Sequence, residues 1–220
     1  AVNLLTRQEF VTAMDPPHRL DLPYATRPPL TPFALAAIYS LTGPSWTAAQ
    51  ILMAVVGAIG CALTGILGWR LFGPATGLAA GVLAALDPFL VFLPSVPLTE
   101  NLGLLLYVAL TLLLLRLGED GSRGHAAAAG VVLGLAALNK PTILGFVPFL
   151  ALWLTLRFRR RIREGLIALA IVVAMAALVI APWTARNFRL LGGVVLVTTQ
   201  AGSALYDANG PHAEYSIRRL

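Results

Sequence analysis

Few side chains in this sequence are equipped for acid–base or phosphate chemistry, and their positions say more than their number. Glu100, followed by Asn101, opens a run of apolar residues, where an ionised carboxylate is expensive unless a cation or a water-filled cavity receives it. A carboxylate in that place is a candidate catalytic group, able to take a proton from an acceptor. The plainer reading is an acid held in the first turn of a helix by the helix dipole, aided by Thr99. Asp87 precedes Pro88 near the end of another apolar run, where the proline also bends or ends a helix. Arg27, Arg186 and Arg189 stand just outside apolar segments. Their planar forks suit phosphate oxygens, while simple anchoring in lipid headgroups is the alternative use of such residues. Lys140, between Asn139 and Pro141, is either a further cation or a turn residue.

Other chemistries find little support. Asp15, Asp21, His18 and His212 have no spacing that fits a metal site. No Ser-His-Asp or Cys-His arrangement and no nucleotide-binding glycine loop is present. The single cysteine, Cys61, lies in an apolar run and reads as a small buried residue. Neither heptads nor a long repeat appears.

The elements that must hold these residues follow from composition. The chain is 58% hydrophobic and only 12% charged, with a mean hydropathy of +0.79. A soluble domain of 220 residues needs far more charge to cover its core, so a bilayer must cover this one. A net charge of +6 and a pI near 10.2 would suggest nucleic acid in a soluble protein. Here the arginines fall between apolar runs and read instead as topology signals facing membrane lipids, with no nucleic-acid partner.

Crossing a bilayer takes about 20 mostly apolar residues. Residues 45–69, 76–92, 98–115 and 166–183 qualify, and the shorter pair 126–138 and 142–156 is separated by Asn139-Lys140-Pro141, which reads as a tight turn. The expected fold is therefore an all-α, polytopic transmembrane bundle of about six spans over 45–184. It is flanked by an outer loop with interfacial helices over 1–44 and the start of a second outer loop over 185–220. The connections holding Arg70, Arg116, Arg123 and the cluster Arg157, Arg159, Arg160, Arg161 and Arg163 should face the cytoplasm, and both flanks should face outward. Residues 33–41 read as an interfacial helix and 194–199 as a short strand. Tyr24, Trp46 and Trp183 fit an aromatic belt at the membrane surface.

Several short motifs then occur in a fixed order along the chain. Arg27-Pro28-Pro29-Leu30, Arg70-Leu71-Phe72-Gly73, Leu86-Asp87-Pro88, Leu98-Thr99-Glu100, Asn139-Lys140-Pro141 and the segment from Pro182-Trp183 through Arg186-Asn187-Phe188 together resemble the landmarks of family 39-type glycosyltransferases. This superfamily includes protein O-mannosyltransferases and the aminoarabinose transferases that modify lipid A. Two departures are Asn101, where the family often has proline, and Lys140, where it often has arginine.

The resemblance implies transfer of a sugar from a polyprenyl-phosphate carrier, the donor substrate, to a lipid, glycan or protein acceptor. The expected location is the outer face of a bacterial-type plasma membrane. It implies that Arg27 contacts the carrier phosphate and that Glu100 takes the place of a secondary acid facing the cavity, while Arg186 and Arg189, just beyond the last span, are candidates to close on the same phosphate. It implies no particular metal. Ala1-Val2-Asn3-Leu4-Leu5 looks like the tail of a helix that carries the family's principal catalytic Asp, which is expected roughly three helical turns before residue 1. The competing class is a transporter or flippase-like protein, which would place ionisable residues or helix breaks near the bilayer midplane. A non-catalytic membrane scaffold is a third.

Overall fold

The computed structural model describes residues 1–7, 25 and 27–199. Among them the regular structure is helical throughout. After the short α1 (Val2–Arg7) come α2 (Leu30–Thr42), α3 (Trp46–Phe72), α4 (Pro74–Leu86) and α5 (Pro88–Phe92), followed by α6 (Thr99–Asp120), α7 (Arg123–Asn139), α8 (Val147–Arg157) and α9 (Ile162–Leu191). Single 3₁₀ segments, Leu93–Ser95 and Pro141–Phe146, lead out of α5 and into α8.

Local chemistry explains the boundaries. The Ser45 hydroxyl accepts from the Ala48 N–H and starts α3. Gly73, at φ +95°, ends α3, and Pro74 immediately starts α4 with a φ already suited to a helix, so the reversal takes a single residue. The Asp87 carboxylate accepts from the Leu90 N–H at 3.0 Å and caps α5, while Pro88 has no N–H to continue α4. The result is a bend of 50° between 74–86 and 88–95.

Three helices, α3, α6 and α9, are long and apolar enough to cross a membrane, and a fourth span results if the bent pair of α4 and the segment after it crosses as one. The six expected runs all appear as helical passes, but two fall short of a full span. The apolar part of α7 is preceded by Arg123 and His125, and Pro141 and Pro148 hold the start of the next pass in a short 3₁₀ turn before α8. Helix α2 forms where an interfacial helix was expected, and its 13 residues reach about 20 Å, too little to cross.

The direction of each pass is fixed by close contacts. Gly57 packs on Asn101 and Gly60 on Leu104, so α3 and α6 run parallel. Gly130 meets Val172 and Gly134 meets Val179, so α7 and α9 also run parallel. A Cβ on Gly130 would lie 2.5 Å from the Val172 carbonyl oxygen, which is why only glycine allows these two backbones so near. The main core lies between α6, α7, α8 and α9, around Leu117, Leu133, Leu150, Leu154 and Val172. Outside it, Ile51, Val55, Ile59, Leu78 and Leu83 are exposed. Only 11% of the most apolar stretch of α3 is buried, so lipid has to supply its remaining cover.

The passes sort the polar residues into two ends. Arg70, Glu119, Arg123 and the arginines of the α8–α9 corner gather at one, where Arg70 pairs with Glu119. Glu100, Lys140 and Arg186 lie at the other. Two expectations near that second end are corrected. Helix α9 does not end with the expected run at Trp183 but continues to Leu191, and Pro182 inside it costs one backbone hydrogen bond. Residues 194–199 form no strand; side chains at the end of α9 take up their carbonyls instead. Cys61 is partly exposed, not buried.

Candidate functional site

The site is built from the end of the bundle opposite the arginine-rich corner. Its centre is Asn139, the last residue of α7, which is fully buried. The Asn139 Oδ1 accepts from the Thr31 hydroxyl at 2.9 Å, and its Nδ2 donates to the Thr99 carbonyl at 2.8 Å. One amide therefore ties the first turns of α2 and α6 to the end of α7. A buried amide with both ends satisfied holds its partners firmly, because any movement strands a polar group away from water.

The next residue on α7's side, Lys140, places its Nζ 3.4 Å from Glu100 Oε1. The Thr99 hydroxyl donates to Glu100 Oε2 at 3.1 Å. Glu100 thus sits in the first turn of α6, where backbone N–H groups and the helix dipole favour its charge, with a cation on its open side. The pair is about half exposed, 48% for the lysine side chain and 38% for the glutamate, so it is accessible to a ligand and adds little to stability.

A second group forms at the end of α9. Trp183 is buried and donates its indole N–H to the Val197 carbonyl at 2.8 Å. The Arg186 guanidinium lies over its ring at 4.6 Å from the centroid, a cation–π stack that fixes the fork's plane. The expectation that Trp183 belongs to an interfacial aromatic belt is therefore corrected, whereas Trp46 is exposed as a belt residue should be. Asn187, also fully buried, accepts from Arg186 at 3.2 Å and donates to the Val195 and Val197 carbonyls. The Thr184 hydroxyl donates to the Leu196 carbonyl at 2.8 Å. These bonds fold the segment after Gly192 back onto the helix that precedes it.

The two groups are joined through α2. The Phe33 ring meets Trp183 edge-on at 5.9 Å between centroids, and Phe33 lies two residues from Thr31. Pro29, Phe33, Trp183 and Arg186 share the wall of a cavity of about 350 Å³. Arg27 is exposed two residues before Pro29, and the Thr199 N–H donates to the Ala25 carbonyl at 2.9 Å, which closes the loop after α9 onto the same segment. Arg27 therefore stands on the segment against which the loop after α9 closes. Arg189, one turn further along α9, is exposed.

Of the residues picked from sequence, Glu100 and Lys140 are in contact and Arg186 borders the cavity, while Asp87 spends its carboxylate on capping α5. Tyr24, Asp15, His18, Asp21 and His212 lie outside the described residues. Among the described residues no cluster of three or more His, Cys, Asp or Glu is placed to hold a metal. Sequence reasoning placed Asn139 and Asn187 within motifs but gave neither a role, and it passed over Thr31. The available signal was that each is a polar residue at the end of an apolar helix, beside a charged one or a proline.

A carboxylate, a lysine and an arginine stacked on tryptophan thus gather at one end of a multi-span helical bundle, the architecture of a multi-pass membrane protein. A family model, dolichyl-phosphate-mannose-protein mannosyltransferase, matches residues 26–185, and the chain belongs to that family. It is accordingly a multi-pass membrane glycosyltransferase. No curated protein and no solved structure matches the chain.

Proposed function

We propose that this chain transfers a sugar from a polyprenyl-phosphate carrier to a lipid, glycan or protein acceptor at the outer face of a bacterial-type plasma membrane. The observation that carries this reading is the joining of Glu100, Lys140 and Arg186 through Asn139, Thr31, Phe33 and Trp183 at a single end of the bundle. A polyprenyl tail dissolves in lipid and leaves its phosphate at headgroup level, where Arg27, Arg186 and Arg189 offer forks for its oxygens. Lys140 adds a point charge at the same end, beside Glu100. In the reaction the acceptor's nucleophile attacks the anomeric carbon, the bond from that carbon to the phosphate oxygen breaks, and the carrier phosphate leaves with the electron pair. The cations stabilise the charge that develops on it, and Glu100, the secondary acid of the cavity, works with the principal Asp expected before residue 1 to take the acceptor's proton.

The outward assignment rests on the arginines gathered at the opposite end, since cytoplasmic loops collect such residues. Among the described residues no Asp, Glu, Lys or Arg occupies the middle of α3, α6 or α9, and the carboxylate at the break after α4, Asp87, is spent on capping α5, which together favour surface chemistry over transport through the bundle. The test is transfer of a radiolabelled sugar from its polyprenyl phosphate by the complete protein in proteoliposomes. Glu100→Gln should lower turnover by roughly 100-fold or more, the usual scale of a lost proton acceptor. Wild-type turnover in Glu100→Gln and Arg27→Ala would sink the assignment. Movement of intact substrate across the vesicle with no glycosidic bond broken would favour a transporter.

A further inference from the structure

The arginine-rich end holds a cavity of about 380 Å³ between the end of α6 and the α8–α9 corner. Its walls carry Arg157, Arg159, Arg160 and Arg161 together with Glu119, Asp120 and Glu164. On sequence alone this is a mixed patch of both signs, and the structure sorts the signs. Glu119 is bound to Arg70, which reaches it from α3. Asp120 accepts from the Ser122 N–H at 2.8 Å through one oxygen and lies 2.8 Å from His125 Nδ1 through the other. Glu164 lies 3.6 Å from Arg161. Each carboxylate is thus already engaged, and three exposed arginines on this wall, Arg157, Arg159 and Arg160, have no carboxylate partner among the described residues.

The depth of the cavity in the membrane is fixed by its neighbours. Leu152 and Leu156 on α8 and Ile162 and Leu166 on α9 are exposed within one or two turns of the corner, so the lipid-covered belt ends where the arginines begin. Forks at that level meet phosphodiester oxygens, and a cavity, unlike a flat patch, admits a whole headgroup. The cavity floor is the backbone around Gly118, where the Trp153 ring lies so near that a Cβ would come within 2.9 Å of it. Gly118 therefore leaves room for Trp153 and for the Arg157 Nε, which lies 3.5 Å from the same point.

We propose that this cavity binds the headgroup of an anionic phospholipid from the leaflet that contacts the arginine-rich end, with Arg157, Arg159 and Arg160 as its ligands. The occupant is a lipid and not a free anion because the cavity opens beside the exposed apolar belt that the acyl chains would cover. This site lies at the opposite end of the bundle from Glu100 and Lys140 and does not depend on the sugar chemistry proposed there.

The experiment uses the complete protein in nanodiscs of phosphatidylcholine containing a minor fraction of phosphatidylglycerol, with lipid retention after mild detergent release read by native mass spectrometry. Each near-surface arginine contributes roughly fivefold in affinity, so phosphatidylglycerol should be retained at least tenfold over phosphatidylcholine. Changing Arg157, Arg159 and Arg160 together to Gln should bring that preference below twofold. Changing Arg116 and Arg123 to Gln, two charges at the same end outside the cavity, should leave most of it. An absence of preference, an unchanged preference in the triple variant, or an equal loss in the control pair would overturn the proposal. Displacement of the lipid by millimolar inorganic phosphate would overturn the lipid assignment in favour of a free-anion site. Should the triple variant fold poorly, raising the salt on wild-type protein from 0.05 to about 0.5 M supplies the second readout, because headgroup pairing at an exposed site must weaken as the Debye length shrinks.

Discussion

Replacing Asn139 with Leu keeps nearly the same volume at a fully buried position and removes both hydrogen bonds, to the Thr31 hydroxyl and to the Thr99 carbonyl. Two buried bonds contribute about 1 kcal/mol each net, and leaving a buried partner unsatisfied adds about 1–3 kcal/mol, partly relieved because the Thr31 hydroxyl can rotate. The expected loss is about 2–4 kcal/mol, read as a shift in the unfolding midpoint in mixed micelles. Asn139→Asp should be worse, since it keeps the acceptor for Thr31 but turns a donor toward the Thr99 carbonyl into a buried charge facing an oxygen. The pairwise part can be isolated with a cycle of Asn139→Leu and Thr31→Val. Polar pairs inside membrane proteins couple by about 0.6 kcal/mol on average and up to about 1.7 kcal/mol, so a value in the upper half of that range is expected for a pair at 2.9 Å with no exposure. Sugar transfer should fall with stability restored by added lipid, because α2 and the Glu100 turn would no longer be held in register. Asn139→Leu unfolding within about 0.5 kcal/mol of wild type, with a coupling near zero, would refute the idea that this amide organises the site.

Three further outcomes follow from the same geometry. Gly130→Leu should cost about 1–3 kcal/mol by forcing α7 off α9, whereas Gly124→Ala, near only the Ser122 hydroxyl, should be almost neutral; equal effects would show that the close approach is not what glycine is for. Arg186→Lys should fail to restore transfer to the level of wild type, because an ammonium cannot reproduce the planar stack on Trp183, and a change in Trp183 fluorescence should accompany the substitution. Asp87→Ala should lose about 1 kcal/mol with the α5 cap, and Asp87→Asn less than half of that because an amide oxygen still accepts from Leu90; identical midpoints for both would remove the capping role.

The course of the chain was legible in its sequence because hydropathy reports length, and length is what a bilayer demands. Every apolar run became a helical pass, and Ser45, Gly73-Pro74 and Asp87-Pro88 marked where passes begin and turn. What hydropathy does not report is pairing. That α6 returns beside α3, and α9 beside α7, is decided by glycines whose meaning depends on which helix they face. The same limit hid Asn139 and Asn187, since a single amide at the end of an apolar run looks like the polar residue of a turn whether it meets water or a neighbouring helix. Residues 194–199 looked like a strand because all but Leu196 are β-branched, yet with Trp183, Thr184 and Asn187 taking carbonyls of this segment no neighbouring strand is needed. Glu100 stood out in the sequence because charge at the start of an apolar run is costly enough to be conspicuous on its own.

The one-residue reversal at Gly73-Pro74 also bears on how the protein enters the bilayer during synthesis. Helix α4 has 13 residues, about 20 Å of length, and ends at a bend with a carboxylate, so by itself it is a poor candidate for insertion. Helix α3 is 27 residues long and among the most apolar in the chain, and it emerges from the ribosome first. Because Gly77 faces the Gly65 carbonyl and Trp69 with no room for a side chain between them, the second arm can fold against the first as soon as it emerges. The translocation machinery then receives a preformed helical hairpin, and the weak arm is carried into the membrane by the strong one.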